Sequence, residues 1–255
     1  MQKNLSLLWL LSKSELSRRY SGRLLGVIWA FLLPALTIAV IWVALVYGLR
    51  MKELSGGAYS LELVVGLLAW LCFADVISAS ISSLTSNSHL VKKMVFPIFL
   101  LPLARVTAGF LVHIAVVAGA CFLFWITGDL QPSNLLVLIF WMAFMWLLCA
   151  ALSILISALA VIIKDVAEIV PAGLQVLFWS SPIIWPLSSI SPNWQGILTS
   201  NPMAMIVQGY RTGILGSPFG ISWTHVTVAM AATVGGLMIS ILVFERLKTA
   251  FAEEI

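Results

Sequence analysis

Long apolar runs separated by short polar stretches dominate the chain. A bilayer core takes roughly 20 apolar residues as a helix. Six runs are that long or close to it, and they cover 24–49, 61–83, 98–126, 135–163, 169–185 and 221–244. The pattern predicts an all-α integral membrane protein with six transmembrane helices and a single domain over residues 1–255. An even number of spans places both ends of the chain on the same side of the membrane.

Three polar stretches outside these runs predict further elements. Residues 1–23 are basic and contain an aromatic anchor, which is typical of an interfacial helix on a membrane surface; a disordered basic tail is the alternative. Residues 84–97 form a basic island in which a short amphipathic helix would place Leu90 and Val91 on one face; an ordinary basic loop is the alternative. Residues 186–220 are rich in proline and predict short re-entrant helices at the outer side, or a plain extracellular loop.

Composition and charge add a direction to this topology. The chain is 61% hydrophobic and only 9% charged, which excludes an ordinary soluble domain. Its net charge of +4 is therefore not a signal of nucleic-acid binding. In a membrane protein the placement of lysine and arginine reports the orientation. One side of the predicted topology holds Lys3, Lys13, Arg18, Arg19, Arg23, Lys92, Lys93, Arg105, Lys164, Arg246 and Lys248, and the other holds Arg50, Lys52 and Arg211. This bias predicts a multi-pass membrane protein with both termini in the cytoplasm.

Sequence motifs for catalysis are missing. No glycine is followed by lysine, so the chain has no phosphate-binding loop, and it has neither an HExxH motif nor a nucleophile elbow. The three cysteines lie inside apolar runs and the three histidines are scattered. We therefore predict a protein that is not an enzyme, with no catalytic residues, metal or cofactor of its own.

Two ionisable residues lie inside predicted spans, where a charge is costly. Asp75 and Arg105 belong to consecutive spans, which are usually neighbours, so we predict that they form a buried pair. The alternative is a proton or cation site of a secondary transporter.

Deep tryptophans form another set of candidates. Because a sugar ring has an apolar face that can lie on an aromatic ring, deep tryptophans suit a glycan path, although packing accounts for any single one equally well. The candidates are Trp42, Trp70, Trp141, Trp146 and Trp179.

Short motifs follow one another in a fixed order along the whole chain. They are Arg18-Arg19-Tyr20, Leu25-Gly26-Val27-Ile28-Trp29-Ala30 with Pro34, then Asn87, Leu90, Lys92-Lys93, Phe96-Pro97 and Leu101-Pro102, and then Lys164-Asp165-Val166, Ser181-Pro182-Ile183, Asn201-Pro202, Tyr210-Arg211, Phe244-Glu245-Arg246 and Phe251-Ala252. In this order they resemble the motifs of type 2 ABC-exporter permeases, and most closely the branch that exports O-antigen, capsule and teichoic acid. Lys164 stands where that family usually has arginine. Lysine keeps the positive charge but lacks the planar guanidinium group.

The resemblance implies a permease that forms a homodimer with two copies of a separate ATPase, which would bind the ATP and Mg²⁺. The substrate would be a lipid-linked polysaccharide. The implied ATPase-coupling residues are Asn87, His89, Lys92, Lys93, Lys164 and Asp165. The implied lipid-phosphate or interfacial residues are Arg18, Arg19 and Arg23, which positive-inside bias also explains, and the outer gate residues are Pro182, Asn201, Pro202, Tyr210 and Arg211. An ABC permease for a drug or small lipid, an ion-coupled secondary transporter and a membrane glycosyltransferase are the alternatives.

Overall fold

The structure is a computed structural model that describes residues 2–50, 59–92, 97–187 and 191–254. Within these ranges every regular element is helical, as the apolar pattern predicts. The α-helices are α1 (Gln2–Tyr20), α2 (Trp29–Val43), α3 (Tyr59–Ser80), α4 (Ser88–Val91), α5 (Leu100–Thr127), α6 (Leu135–Ile162), α7 (Val166–Ser180), α8 (Pro192–Thr199), α9 (Pro202–Leu215), α10 (Trp223–Leu247) and α11 (Phe251–Glu254). Short 3₁₀ turns occupy Gly26–Ile28, Thr85–Asn87 and Pro132–Asn134, and a π-helical turn occupies Ala44–Gly48.

Five helical segments in the described part of the chain are long and apolar enough to cross a membrane. They are Gly26–Gly48, Tyr59–Ser80, Leu100–Thr127, Pro132–Ile162 and Trp223–Leu247, and they coincide with five of the six predicted spans. The run predicted at 169–185 is α7, whose 15 residues extend only about 22 Å. That is shorter than the hydrocarbon core of about 30 Å. α7 ends at Ser180 because Ser181 precedes a proline and takes an extended conformation.

Helix α6 lies at the centre of the bundle and packs against α3, α5, α9 and α10. Its buried side chains include Trp141, Met145 and Cys149. A helix with apolar residues on all sides is expected in such a central position. The outer faces of α2, α5 and α10 instead expose large apolar side chains, of which Val40, Leu123 and Met238 are examples. In a membrane these faces would contact lipid or another protein chain.

Helix α9 is buried along almost its whole length between α3, α6 and α10. Two glycines four positions apart make its close approach to α6 possible. A Cβ atom on Gly209 would lie 2.2 Å from the ring of Trp141, and one on Gly213 would lie 2.7 Å from the backbone of Leu138. This small-xxx-small spacing is a recurring device for close helix packing in membrane proteins.

A second apolar cluster gathers the parts of the chain that the charge pattern assigns to one side. It joins Leu84 and Val91, which belong to the basic segment 84–97, to Val161 at the end of α6 and to Phe251 in α11. Leu11 of α1 packs against it. We call this the terminal end of the bundle. The opposite end contains Tyr59, Ile183 and Ile214, with the α5–α6 connection beside them.

Candidate functional site

The last turn of α1 is tied to α3 by an ion pair that the sequence did not predict. Arg19 donates two hydrogen bonds to the carboxylate of Asp75, at 2.7 and 2.6 Å. These hydrogen bonds raise the pKa of Arg19 above its ordinary value. The predicted pair of Asp75 with Arg105 is therefore wrong, because α1 packs against α5 and its Arg19 side chain reaches Asp75 on α3.

Arg105 also finds its partner in α1. Its Nε lies 3.2 Å from Oε2 of Glu15, whose side chain is only 11% exposed. The other carboxylate oxygen of Glu15 pairs with Arg18 and accepts a hydrogen bond from Nδ2 of Asn87 at 3.4 Å. Arg18 in turn donates to Oδ1 of Asn87 at 3.3 Å. Glu15 thus joins α1, α5 and the segment before α4. The sequence did not single it out, because one acidic residue in a basic amphipathic helix forms no recognisable motif.

A cavity of about 210 Å³ opens between α1, α2, α3 and α5. Arg19, Arg23 and Asp75 lie among its lining residues, and Asp75 carries the only carboxylate of the described residues that line it. The rest of the lining is mostly apolar and includes Leu33, Pro34, Leu68, Leu71, Val112 and Val116. Among the described residues, the side chain of Arg23 has no carboxylate within ion-pair distance. The cavity therefore combines a cationic rim with an apolar interior, which suits an amphipathic anion.

His113 connects the wall of this cavity to the buried helix α9. Its Nε2 atom lies 2.9 Å from the hydroxyl oxygen of Tyr210, and both side chains are buried. Buried polar groups are normally hydrogen-bonded, and this pair satisfies both partners at once. Neither residue's partner could be read from the sequence, in which the two are 97 positions apart.

The guanidinium group of Arg211 is held by hydrogen-bond acceptors at the opposite end of the bundle. The residue is 2% exposed. Its Nε donates to the carbonyl oxygen of Glu62 at 3.0 Å, and its Nη2 donates to the carbonyl oxygen of Ile183 at 3.1 Å. Its Nη1 donates to Oε1 of Gln208 at 3.1 Å. Among the described residues no carboxylate lies within ion-pair distance of it.

The other predicted gate residues gather around the same segment. Asn201 caps α9 by accepting a hydrogen bond from the amide of Met203 at 2.9 Å, and Pro202 takes the first helical position. The amide of Asn201 donates to Oγ of Ser181 at 3.0 Å, beside the buried Pro182. The structure thus brings all five residues predicted for the outer gate, Pro182, Asn201, Pro202, Tyr210 and Arg211, to helix α9 and the segment after α7.

The predicted coupling residues separate into exposed and internal ones. His89 and Lys92 are exposed at the terminal end, whereas Asn87 is buried and bonded to α1 and to the carbonyl oxygen of Ser83. Among the described residues of this segment, α4 makes a single α-helical turn from Ser88 to Val91. Lys93 lies outside the described residues.

A second exposed polar turn follows α6. Lys164 and Asp165 are both exposed there, directly after the end of α6 that packs in the terminal apolar cluster. The two predicted coupling stretches therefore share one end of the molecule.

The predicted tryptophan path does not form one surface in this chain. Trp141 is 1% exposed and stacks on Phe219, with ring centroids 5.1 Å apart. Trp70 is also buried and packs against α7, whereas Trp179 is exposed on the outside of α7. The remaining two are half-buried, Trp42 beside Tyr47 and Trp146 in a separate apolar cavity near Phe244.

Comparisons with known proteins agree on one family. The family model described as ABC-2 type transporter matches residues 6–215. The O-antigen export system permease protein RfbA of Klebsiella pneumoniae is 25% identical over 264 residues, covering 97% of this chain and 94% of the relative. RfbA of Myxococcus xanthus is 27% identical and covers 79% of this chain and 77% of the relative. The polysialic acid transport protein KpsM of Escherichia coli is 23% identical, with 79% and 78% coverage.

Proposed function

The chain belongs to the ABC-2 type transporter family, and on that premise we propose that it is the permease subunit of an ATP-driven exporter of a lipid-linked polysaccharide. It would be a multi-pass protein of a bacterial inner membrane with one membrane domain over residues 1–255. The observation that carries the proposal is the cavity with its cationic rim and apolar interior, in a chain similar over 97% of its length to an O-antigen export permease. A lipid-linked glycan presents a phosphate group above an apolar chain, and these two features match the two parts of the cavity.

The proposed topology has six spans, with α7 as a short fifth span and both termini in the cytoplasm. The clustering of basic residues at the terminal end supports this orientation, because short cytoplasmic loops carry an excess of lysine and arginine. Exposed Leu5, Trp9 and Leu10 on α1 support a helix that lies in the interface with an apolar face toward lipid.

Helices α8 and α9 are proposed as re-entrant elements of an outer gate. Their lengths of 8 and 14 residues are too short to cross a bilayer, and the surrounding helices cover α9. A backbone that turns back at membrane depth has to be covered by protein in this way. The hydrogen bonds from Arg211 to the carbonyl oxygens of Glu62 and Ile183 would hold the gate closed.

The ATPase partner is proposed to dock at the terminal end. Exposed His89, Lys92, Lys164 and Asp165 share that end and would face the ATPase together with Lys93, while Asn87 would support the segment from inside. Two permeases would assemble with two ATPases, which bind and hydrolyse ATP with Mg²⁺. The permease itself would supply no catalytic residue.

The lipid phosphate is proposed to bind at the cavity rim through Arg19 and Arg23. Arg18 already pairs with Glu15 and is better placed to hold α1 than to bind a ligand. The exposed Trp179 and the half-buried Trp42 and Trp146 remain proposed contacts for sugar, whereas the two buried tryptophans serve packing.

Co-expression with an ABC ATPase tests the proposal. We expect the two chains to purify as a complex of two copies each, with ATP hydrolysis linked to glycan export. Lys92→Glu with Lys93→Glu should leave membrane insertion and the fold intact, yet reduce export by at least about tenfold, because reversed charges would misalign the docking surface. Lys13→Glu, an exposed charge change on α1, is the matched control and should leave export unchanged. Full export by the double variant, or a lone permease that transports without an ATPase, would reject the proposed coupling.

A further inference from the structure

The cavity rim contains a built-in competitor for the ligand it is proposed to bind. Among the described residues that line the cavity, Arg19 and Arg23 are the cations, and Asp75 lines the same cavity. Both carboxylate oxygens of Asp75 accept hydrogen bonds from the guanidinium group of Arg19, at 2.6 and 2.7 Å. That paired geometry is the one with which a guanidinium group binds phosphate. Asp75 therefore occupies the position on Arg19 that a phosphate group would need.

The exposure of the two α1 ion pairs separates an exchangeable contact from a structural one. In the Arg19–Asp75 pair the side chains are 40% and 42% exposed, so an anion can reach them from the cavity rim without unfolding the helix. In the Arg105–Glu15 pair they are only 21% and 11% exposed. The Glu15 contacts with Arg105 and Asn87 would keep α1 in place while the Asp75 contact is exchanged.

We propose that Asp75 is an intramolecular competing ligand for Arg19, which a phosphate or pyrophosphate headgroup displaces when its apolar chain enters the cavity. The bound headgroup would bridge Arg19 and Arg23, and Asp75 would turn to solvent. Because Asp75 competes for Arg19, the affinity of the cavity for the headgroup stays low enough for the headgroup to dissociate. Asp75 then pairs with Arg19 again. The inference rests on the proposed function, because it assumes that the cavity binds the lipid phosphate.

Binding of farnesyl diphosphate to the full chain in phosphatidylcholine nanodiscs tests the inference. Asp75→Asn keeps the shape of the side chain but removes its charge. It should tighten binding about fivefold, the factor that corresponds to a partly exposed ion pair. Asp75→Glu keeps the competing charge and should stay within about twofold of wild type. If Asp75 only holds α1 in place, Asp75→Asn would weaken binding or leave it unchanged, and either result would overturn the inference.

A double variant shows whether Asp75 acts through Arg19. Combining Asp75→Asn with Arg19→Gln should abolish the gain, because no guanidinium group remains to be freed. A gain that persists would mean simple charge repulsion and would also overturn the proposal. Circular dichroism of each variant should show unchanged helix content.

Two further measurements distinguish failure of the proposed phosphate site from failure of the Asp75 inference alone. Inorganic pyrophosphate should compete at least about tenfold more weakly than the prenyl compound, because it buries no apolar chain. Equal competition would assign the site to a free anion and reject the lipid. If Arg19→Gln with Arg23→Gln binds farnesyl diphosphate as well as wild type does, the proposed phosphate site fails together with the inference. If that double variant loses binding but Asp75→Asn equals wild type, only the inference fails.

Discussion

Replacing Arg211 should destabilise the chain more than replacing any exposed arginine. The guanidinium group makes three hydrogen bonds of 3.0–3.1 Å, two of them to backbone carbonyl oxygens, and the residue is 2% exposed. A hydrogen bond to a charged group contributes about 1.5–3 kcal/mol. Arg211→Met removes all three but also removes the desolvation cost of the buried charge, which offsets part of the loss. We expect a net decrease of about 3 kcal/mol in the free energy of unfolding.

Lysine at the same position separates charge from geometry. Arg211→Lys keeps the positive charge, but one ammonium group cannot reach the carbonyl oxygens of Glu62 and Ile183 with the planar fork that arginine offers. We therefore expect it to recover less than half of the loss. Arg246→Met is the matched control, because Arg246 is exposed on α10 and should change stability by no more than about 0.5 kcal/mol.

Equilibrium unfolding in mixed micelles of dodecyl maltoside and sodium dodecyl sulfate measures these differences. Hydrogen exchange adds the location, since the amides of α9 should exchange faster in Arg211→Met while those of α5 should change little. Equal unfolding of Arg211→Met and Arg246→Met would refute the reasoning. Full recovery by Arg211→Lys would show that charge alone, without the planar geometry, stabilises the site.

Three further substitutions probe the packing and the polar links. Gly209→Ala should cost about 1–3 kcal/mol in the same unfolding assay, because its Cβ would lie 2.2 Å from the ring of Trp141. Gly235→Ala, with nothing within 4 Å, should leave stability unchanged or raise it by up to about 1 kcal/mol, since alanine favours the helix. Equal losses from both variants would contradict the packing argument. His113→Phe should cost about 1–3 kcal/mol and speed exchange in α9, since the hydroxyl of Tyr210 loses its nitrogen partner; unchanged exchange would mean that this hydrogen bond does not hold the helix. Glu15→Gln should speed amide exchange in α1 about tenfold, as its ion pair is only 11% exposed on the Glu15 side; wild-type exchange would show that α1 is held by apolar contacts alone.

Five of the six predicted spans have a matching helix, because a hydrocarbon core imposes length and composition on any helix that crosses it. The C-terminal end of α7 at Ser180 was not predicted, although it has a local cause, since proline at 182 constrains the residue before it. The shortness of α7 shows what composition leaves open: the run at 169–185 continues in apolar residues after the helix has ended.

Partner choice within the polar clusters could not be read from the sequence. The prediction that Asp75 pairs with Arg105 assumed that only neighbouring spans compete for a charge. Helix α1 packs against α5, where its Glu15 pairs with Arg105, and its Arg19 side chain pairs with Asp75 of α3. The orientation of an amphipathic helix relative to the bundle depends on its tertiary contacts, which a single sequence does not contain.

The burial of α9 could be predicted from the sequence only in part. Gly209 and Gly213, on either side of Arg211, have the spacing that permits close packing, yet the proline-rich stretch 186–220 predicts only short re-entrant helices or a plain loop. Three acceptors surround that arginine, and two of them are backbone carbonyl oxygens that no sequence motif reveals. The link from His113 to Tyr210 was missed for the same reason: it depends on tertiary contact between two distant segments.

ATP-dependent transport in proteoliposomes tests the central claim most directly. The chain and its ATPase would be reconstituted in vesicles that contain a lipid-linked polysaccharide and ATP on one side. A glycan-degrading enzyme on the other side would then report each chain that crosses. The account predicts glycan degradation that requires ATP hydrolysis, both subunits and the two rim arginines, Arg19 and Arg23. Equal degradation with a non-hydrolysable ATP analogue, or with the permease alone, would contradict it.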